Sequence, residues 1–563
     1  MESSQRVAPE ASPILRTRAR ESGGRHAFLV ASGIFVSRVS GLVRQRVFAH
    51  YLGSGLVAGV FNAALRIPNL LQNMLGEGVL SSSFIPVYAQ LLARGEQQEA
   101  DHVAGAVGGL LAAATAVLAA AGMLATPLVV RIITPGLSPA EHAMAVRWVR
   151  ILFPATATLV LSAWCLGVLN SHRRFFLSYA APVVLNGTVI GALATFGGRV
   201  GEVRLALLVS WGYFAGAVLQ VVVQVPTALA LLGSFRPSLR ASRASVRTVL
   251  HNFGPAVVGR GVVQLSAFLD TVYASYVGTR GLAALGYQQV LYLLPISLFG
   301  MAISASELPA MSSAVGSAEA VAAQLRARLD GALSRLAFFV IPSAAAFLLL
   351  GDVVAGALFQ TGAQSPADTR YLWLVLMGST IGLLAATMAR LYASVFYALK
   401  DTRTPLGFAL VRLALTAALA WWSAVKMPGV LGVPREIGLV GITATTGIAA
   451  WLEYALLRRS LCRRIGLAGL PRRTFVRLWT CAALAGAAGL LVKAVLARHL
   501  GPMHGLHGQW GGGFLPPPRL YPPLAAVPIL GGFGGSYLAL ALGTAPGGLR
   551  AALERARRRL RRS

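Results

Sequence analysis

The residues best suited to chemistry are ionisable groups set inside long apolar stretches, and most are arginines. Arg38, Arg44 and Arg46 fall in the first stretch, Arg66 in the second with Glu77 at its end, and Arg260 and Asp270 in the seventh; Glu307, Arg390, Arg412 and Glu453 follow. A charge placed within a membrane span costs about 2.5–3.5 kcal/mol on insertion scales, so each is a functional candidate by default. A guanidinium fork holds phosphate oxygens through two parallel charge-assisted hydrogen bonds, and a diphosphate is the anion this set suits. Arg38 and Arg260 lead. Arg46 and Arg412, closer to span ends, are read as snorkelling toward headgroups. Arg38 and Arg44 point about 120° apart on an ideal helix and share one cavity only if it bends, which Gly33 and Gly41 permit. Asp270 lies ten residues beyond Arg260, too far for pairing along one helix. A partner on another helix and a coupling proton or sodium ion are both open readings. Glu307, just before Pro309, is read as a structural helix cap.

These charges need a frame. The chain has 563 residues, 56% hydrophobic and 12% charged, with mean hydropathy +0.66, against about 25% charged in soluble domains. An all-α integral membrane protein is expected. Runs of about 20 apolar residues mark fourteen spans: 28–52, 56–76, 104–133, 146–169, 178–198, 204–233, 248–277, 283–312, 331–358, 371–399, 405–426, 437–457, 474–497 and 521–543. Basic residues favour the side of the two termini by roughly three to one, which puts both termini in the cytoplasm. The formal charge of +31 is therefore mostly orientation, and nucleic acid is not expected as a partner. The tails 1–27 and 544–563 read as cytoplasmic basic segments that meet anionic lipids. The Gly- and Pro-rich stretch 499–520 reads as an extended outer loop. Cys165, Cys462 and Cys481 are too dispersed for a disulfide framework or a zinc site, and no metal or cofactor is expected.

A repeat at about 225 residues divides the body. Ala49-His-Tyr-Leu-Gly53 matches Ala274-Ser-Tyr-Val-Gly278, followed by Pro68 or Pro295 and then Pro86 or Pro309. The basic loop Asn170-Ser-His-Arg-Arg corresponds to Leu399-Lys-Asp-Thr-Arg. The expected architecture is two pseudo-symmetric six-helix lobes, 28–235 (spans 1–6) and 248–460 (spans 7–12), plus two C-terminal helices in 474–543.

Three sets of residues resemble a known family: Ser37-Arg-Val-Ser-Gly-Leu-Val-Arg44; Ile67-Pro-Asn-Leu-Leu71; and Glu77-Gly78 with Ser81, Phe84 and Pro86. Asn170 to Asn186, Gly254-Pro-Ala256 and Phe396-Tyr-Ala-Leu-Lys-Asp-Thr-Arg-Thr-Pro405 extend the likeness. Together they are similar to the MurJ/MviN family of bacterial lipid II flippases, within the wider multidrug/oligosaccharidyl-lipid/polysaccharide exporter superfamily. The resemblance implies alternating access between two lobes, with spans 13 and 14 holding a polyprenyl tail. It also implies transfer of lipid-linked peptidoglycan precursor from the inner to the outer leaflet of the bacterial cytoplasmic membrane, alongside cell-wall synthesis machinery. It puts Arg38, Arg44, Arg66 and Glu77 at substrate-binding positions and Asp270 where some members have an aspartate associated with sodium. Gly59, Gln72, Asn73 and Val290 stand where the family carries charges, and Arg260 is read as a replacement for one of them. The alternatives are an exporter of another polyprenyl-diphosphate oligosaccharide, or a polyprenol-using glycosyltransferase, which would need acids or a metal that this chain lacks in sequence.

Overall fold

A computed structural model describes residues 13–239, 243–313, 316–500 and 522–544. The expected outer loop lies almost wholly outside these, as do both ends of the chain. Among the described residues there is no strand. The helices are α1 (Pro13–Leu52), α2 (Leu56–Leu75), α3 (Glu77–Ala93), α4 (Gln97–Ile133), α5 (Pro139–Ser171), α6 (Phe175–Ala180), α7 (Pro182–Phe196), α8 (Glu202–Ala230), α9 (Ala244–Val277) and α10 (Thr279–Pro295). There follow α11 (Ala302–Ser312), α12 (Ala318–Phe359), α13 (Pro366–Thr380), α14 (Leu383–Ala398), α15 (Arg403–Trp421), α16 (Met427–Leu431), α17 (Ile437–Ile465), α18 (Arg472–Leu500) and α19 (Pro522–Gly543). Short π-helical turns join α10 to α11 and α15 to α16.

A helix or a broken pair of helices occupies each of the fourteen expected segments. Ten are long and apolar enough to cross a membrane, or eleven if the bent pair α13–α14 counts as one span. The segments that fall short by hydropathy include α1, α2 and α9, which carry Arg38, Arg44, Arg66, Arg260 and Asp270. The charges contribute to that shortfall, together in α2 with Asn62, Asn69, Gln72 and Asn73.

The chain forms two compact units. Unit 1 comprises 1–47, 64–129 and 146–264; unit 2 comprises 48–63, 130–145 and 265–563. In unit 1, Phe84, Tyr88, Trp164 and Val168 form a buried core, and the Trp164 indole N–H donates to the Ala104 carbonyl at 3.1 Å. In unit 2, α17 packs on α13, α14 and α15, and α12 carries α18 and α19. Small residues let these backbones approach, as membrane helices require. A Cβ on Gly382 would stand 2.4 Å from Gly447 Cα, and one on Gly489 would stand 2.7 Å from a Leu350 methyl.

Hydrogen bonds recur at close to the sequence offset. Arg173 and Lys400 both adopt φ near 61°. In each loop the next residue donates its N–H to a carbonyl five back, Arg174 to Leu169 and Asp401 to Phe396, the geometry of a helix closed by a left-handed residue. Gly53 and Gly278, also at positive φ, donate to Ala49 and Ala274. Asp101 on α4 accepts from Ser234 N–H at 2.9 Å, and Asp330 on α12 accepts from Gly469 N–H at 2.8 Å. The short basic loops are thus the same cap built twice.

Candidate functional site

α1 is one unbroken helix through Arg38 and Arg44. Gly33 serves close packing, whereas a Cβ on Gly41 would meet Asn186 Nδ2 at an ordinary 3.8 Å. A Cβ on Gly33 would meet Tyr179 Cβ at 2.9 Å, and Asn186 donates from Nδ2 to Ser40 Oγ at 2.8 Å. At 100° per residue, Gly33, Ser37, Ser40 and Arg44 fall on one face of α1 and Arg38 on another. Arg44 is accordingly half-buried, with the Tyr213 hydroxyl of α8 as an electrostatic partner, while Arg38 is exposed. Among the described residues neither has a carboxylate at ion-pair distance. They are two separately housed cations on one helix.

Arg66 is half-buried on α2. Glu77 occupies the first turn of α3, where the helix N-terminus favours a carboxylate. It is exposed and acts electrostatically on the Tyr179 hydroxyl of α6, which accepts from Asn170 Nδ2 at 3.4 Å. Glu77, Tyr179 and Asn170 therefore gather at one place in unit 1. Asn170 and Asn186, the two asparagines of one sequence motif, connect α5 to α6 and α7 to α1.

Arg260 is placed on α9, but its side chain lies outside the described ones. Asp270, further along α9, belongs to unit 2, whereas Arg260 belongs to unit 1. The ten residues between them span about 15 Å. Thr446 of α17 donates to Asp270 Oδ1 at 3.5 Å, so a partner on another helix is present.

Several charged groups differ from their sequence-based reading. Arg412, read as snorkelling, pairs with Glu453 across α15 and α17 at 2.9 Å. Glu307 is no cap: it lies within α11 and pairs with Arg335 and, at 3.8 Å, with Arg328 of α12. Lys493 of α18 is fully buried and pairs with Asp352 of α12 at 2.5 Å, a pair not anticipated from sequence. The available signal was a lone lysine and a lone aspartate in two apolar runs. Arg280 at the start of α10 bonds Asp368 and Glu436 at 2.8 Å each and stands over the Tyr371 ring at 5.1 Å. Those two carboxylates hold the guanidinium above its ordinary pKa against the opposing effect of burial.

Gly59, read from sequence as a departure from the resembled pattern, has a steric reason. A Cβ there would lie 2.0 Å from the Thr279 carbonyl oxygen. In this conformation α2 passes so close to the start of α10 that no side chain fits.

The described residues hold no cluster of His, Cys, Asp and Glu suited to a metal ion. In each unit the candidate positions consist of guanidiniums, hydroxyls, amides and a few carboxylates. Such groups can bind an anion and exchange hydrogen bonds.

Residues 48–507 match the family model "Lipid II flippase MurJ", a range that includes Arg66, Glu77, Arg260 and Asp270 but begins after Arg44. A probable lipid II flippase MurJ of Rhizobium meliloti is 30% identical over 437 residues, covering 76% of this chain and 78% of the relative. The lipid II flippase MurJ of Burkholderia cenocepacia is 30% identical over 446 residues, covering 78% and 84%. Among solved structures, a lipid II flippase MurJ in an inward closed conformation aligns with TM-score 0.70 at 19% identity, covering 91% of this chain and 98% of that one. An inward-facing multidrug resistance MATE transporter aligns with TM-score 0.60 at 15% identity, covering 76% and 94%. These two structural likenesses concern the fold. With the family model matching most of its length, the chain belongs to the lipid II flippase MurJ family.

Proposed function

We propose that the chain carries lipid II, a polyprenyl-diphosphate-linked peptidoglycan precursor, from the inner to the outer leaflet of the bacterial cytoplasmic membrane by alternating access. The observation that carries this reading is the family match over residues 48–507. The chemistry of α1 agrees with it. A diphosphate needs charge-assisted donors, and Arg38 and Arg44 offer two guanidiniums that no described carboxylate neutralises. Arg66 and Arg260 add positive charge on α2 and α9. Glu77 would repel a diphosphate and suits the hydroxyl and amide groups of a sugar-peptide headgroup. None of these groups needs to form or break a covalent bond. A cationic drug, as cargo, would be repelled by the same arginines.

On this reading both termini are cytoplasmic, the basic tails meet anionic lipid headgroups, and the protein works beside the machinery that polymerises the precursor. Asp270 is the position at which a sodium ion or proton would couple to movement. Rescue of a strain depleted of its own lipid II flippase tests the function: the wild-type chain restores growth and Arg38→Ala does not. Failure of the wild type, despite expression in the membrane, would overturn the reading. For coupling, Asp270→Asn removes any dependence of transport on sodium or pH. Unchanged dependence would return Asp270 to a structural role.

A further inference from the structure

Unit 2 contains a second group of guanidiniums outside the positions assigned so far. Arg390 on α14 precedes the helix end at Ala398 by eight residues, and Arg412 follows the start of α15 at Arg403 by nine. At 1.5 Å per residue both sit about 12–14 Å from the basic loop that joins the two helices. They therefore lie at one level, inside a hydrocarbon layer about 30 Å thick. Arg412 is the larger of the charges acting on Arg390, ahead of Tyr292 of α10, Glu453 of α17 and Tyr397 of α14 itself. Glu453 is already bound to Arg412 Nη1. Asp270 accepts from Thr446 and acts with both arginines on Tyr292. Among the described residues Arg390 has no carboxylate at ion-pair distance, and it is exposed.

Two guanidiniums at one level repel each other, and one without a carboxylate partner at this depth is costly in hydrocarbon. The groups that act electrostatically on Arg390 come from α15, α10 and α17 as well as its own helix and are polar, surroundings suited to a polar ligand rather than to lipid chains. The hydroxyls of Tyr292 and Tyr397 are neutral donors that can add to the guanidinium's hydrogen bonds on an oxyanion. We propose that Arg390, supported by Arg412 and these hydroxyls, is a second oxyanion-binding point that takes phosphate oxygens within unit 2. Its natural ligand, on the flippase reading above, is the diphosphate of the lipid-linked cargo; an anionic phospholipid headgroup presents the same chemistry. Arg412 stays anchored by Glu453 and supplies the field, while Arg390 makes the contact.

The test uses purified full-length protein in phosphatidylcholine nanodiscs with inorganic diphosphate as the probe. An Arg38→Ala/Arg44→Ala background removes the sites on α1. Diphosphate still binds in that background, and adding Arg390→Gln weakens binding about 10- to 100-fold, the factor carried by one or two charge-assisted hydrogen bonds. Arg390→Lys, which keeps the charge and loses the fork, recovers part of the loss. Unchanged affinity in the folded Gln variant, or equal loss with Lys and Gln, would overturn the subsite. Competition assigns the source: displacement by lipid II but not by phosphatidylglycerol marks the cargo, and the reverse marks a phospholipid. Lipid II translocation by the wild type is measured in parallel. If it is absent while Arg390→Gln still weakens diphosphate binding, the flippase reading fails and the subsite stands.

Discussion

Arg38 and Arg44 share a helix and a residue type, yet their surroundings give them separate duties. Arg38 is exposed and Arg44 is held beside Tyr213 on the packed face of α1. Tyr213→Phe removes the hydroxyl partner and should lower transport less than Arg44→Ala does; equal losses would mean that Arg44 works only through the tyrosine. A second residue-scale prediction concerns the loop after α14. The Thr404 backbone N–H, its hydroxyl and Arg464 together hold the Asp401 carboxyl down at about 2, against an ordinary value of 3.8. A carboxyl depressed in the folded state adds stability above its unfolded pKa and loses it as pH falls through the folded one. Asp401→Asn therefore lowers the melting temperature at pH 7, and the gap to wild type closes between about pH 4 and pH 2. A gap independent of pH would show that the carboxylate charge is not what holds the loop. The arginines were legible because any charge stands out in an apolar run. Their partners were not, since Arg412 and Glu453 are 41 residues apart and Lys493 and Asp352 are 141 apart, and no local pattern links such distances.

Helices were the easiest elements to anticipate, because runs of apolar residues about 20 long have few other uses. Breaks within them were harder to see. The interruption at Gly76 between α2 and α3, the break between α13 and α14 and the π-helical turns leave the apolar pattern unbroken, so hydropathy does not mark them. The repeat was visible in sequence as one matched pair of five-residue segments, the prolines that follow them, and one pair of basic loops. The paired caps at Arg173 and Lys400 give those matches a physical content. At this scale Lys493 fastens α18 to α12. Lys493→Met leaves Asp352 buried and unpaired, which costs about 3–5 kcal/mol, whereas adding Asp352→Leu removes the orphaned charge and recovers most of it. Thermal melting in detergent reads both, and a double variant as unstable as the single one would contradict an ion-pair role. Gly59→Asp drives a side chain into the Thr279 carbonyl. It should destabilise this conformation and lower the melting temperature; a neutral result would show that α2 and α10 separate readily.

For the whole molecule, composition established a membrane protein and the order of motifs suggested the family, which the match over residues 48–507 establishes. Net charge first looks like a sign of a polyanionic partner. On the flippase reading most of it sets orientation, and the cations left inside the spans select a phosphate-bearing cargo. The direct test is translocation of fluorescent lipid II in liposomes containing the purified chain, followed by quenching of the label that reaches the opposite leaflet. Wild-type protein should move lipid II without altering it chemically, and Arg38→Ala should reduce the rate at least tenfold while retaining the wild-type melting temperature. Wild-type protein that leaves lipid II in its original leaflet, or an Arg38→Ala variant as fast as wild type, would contradict the account.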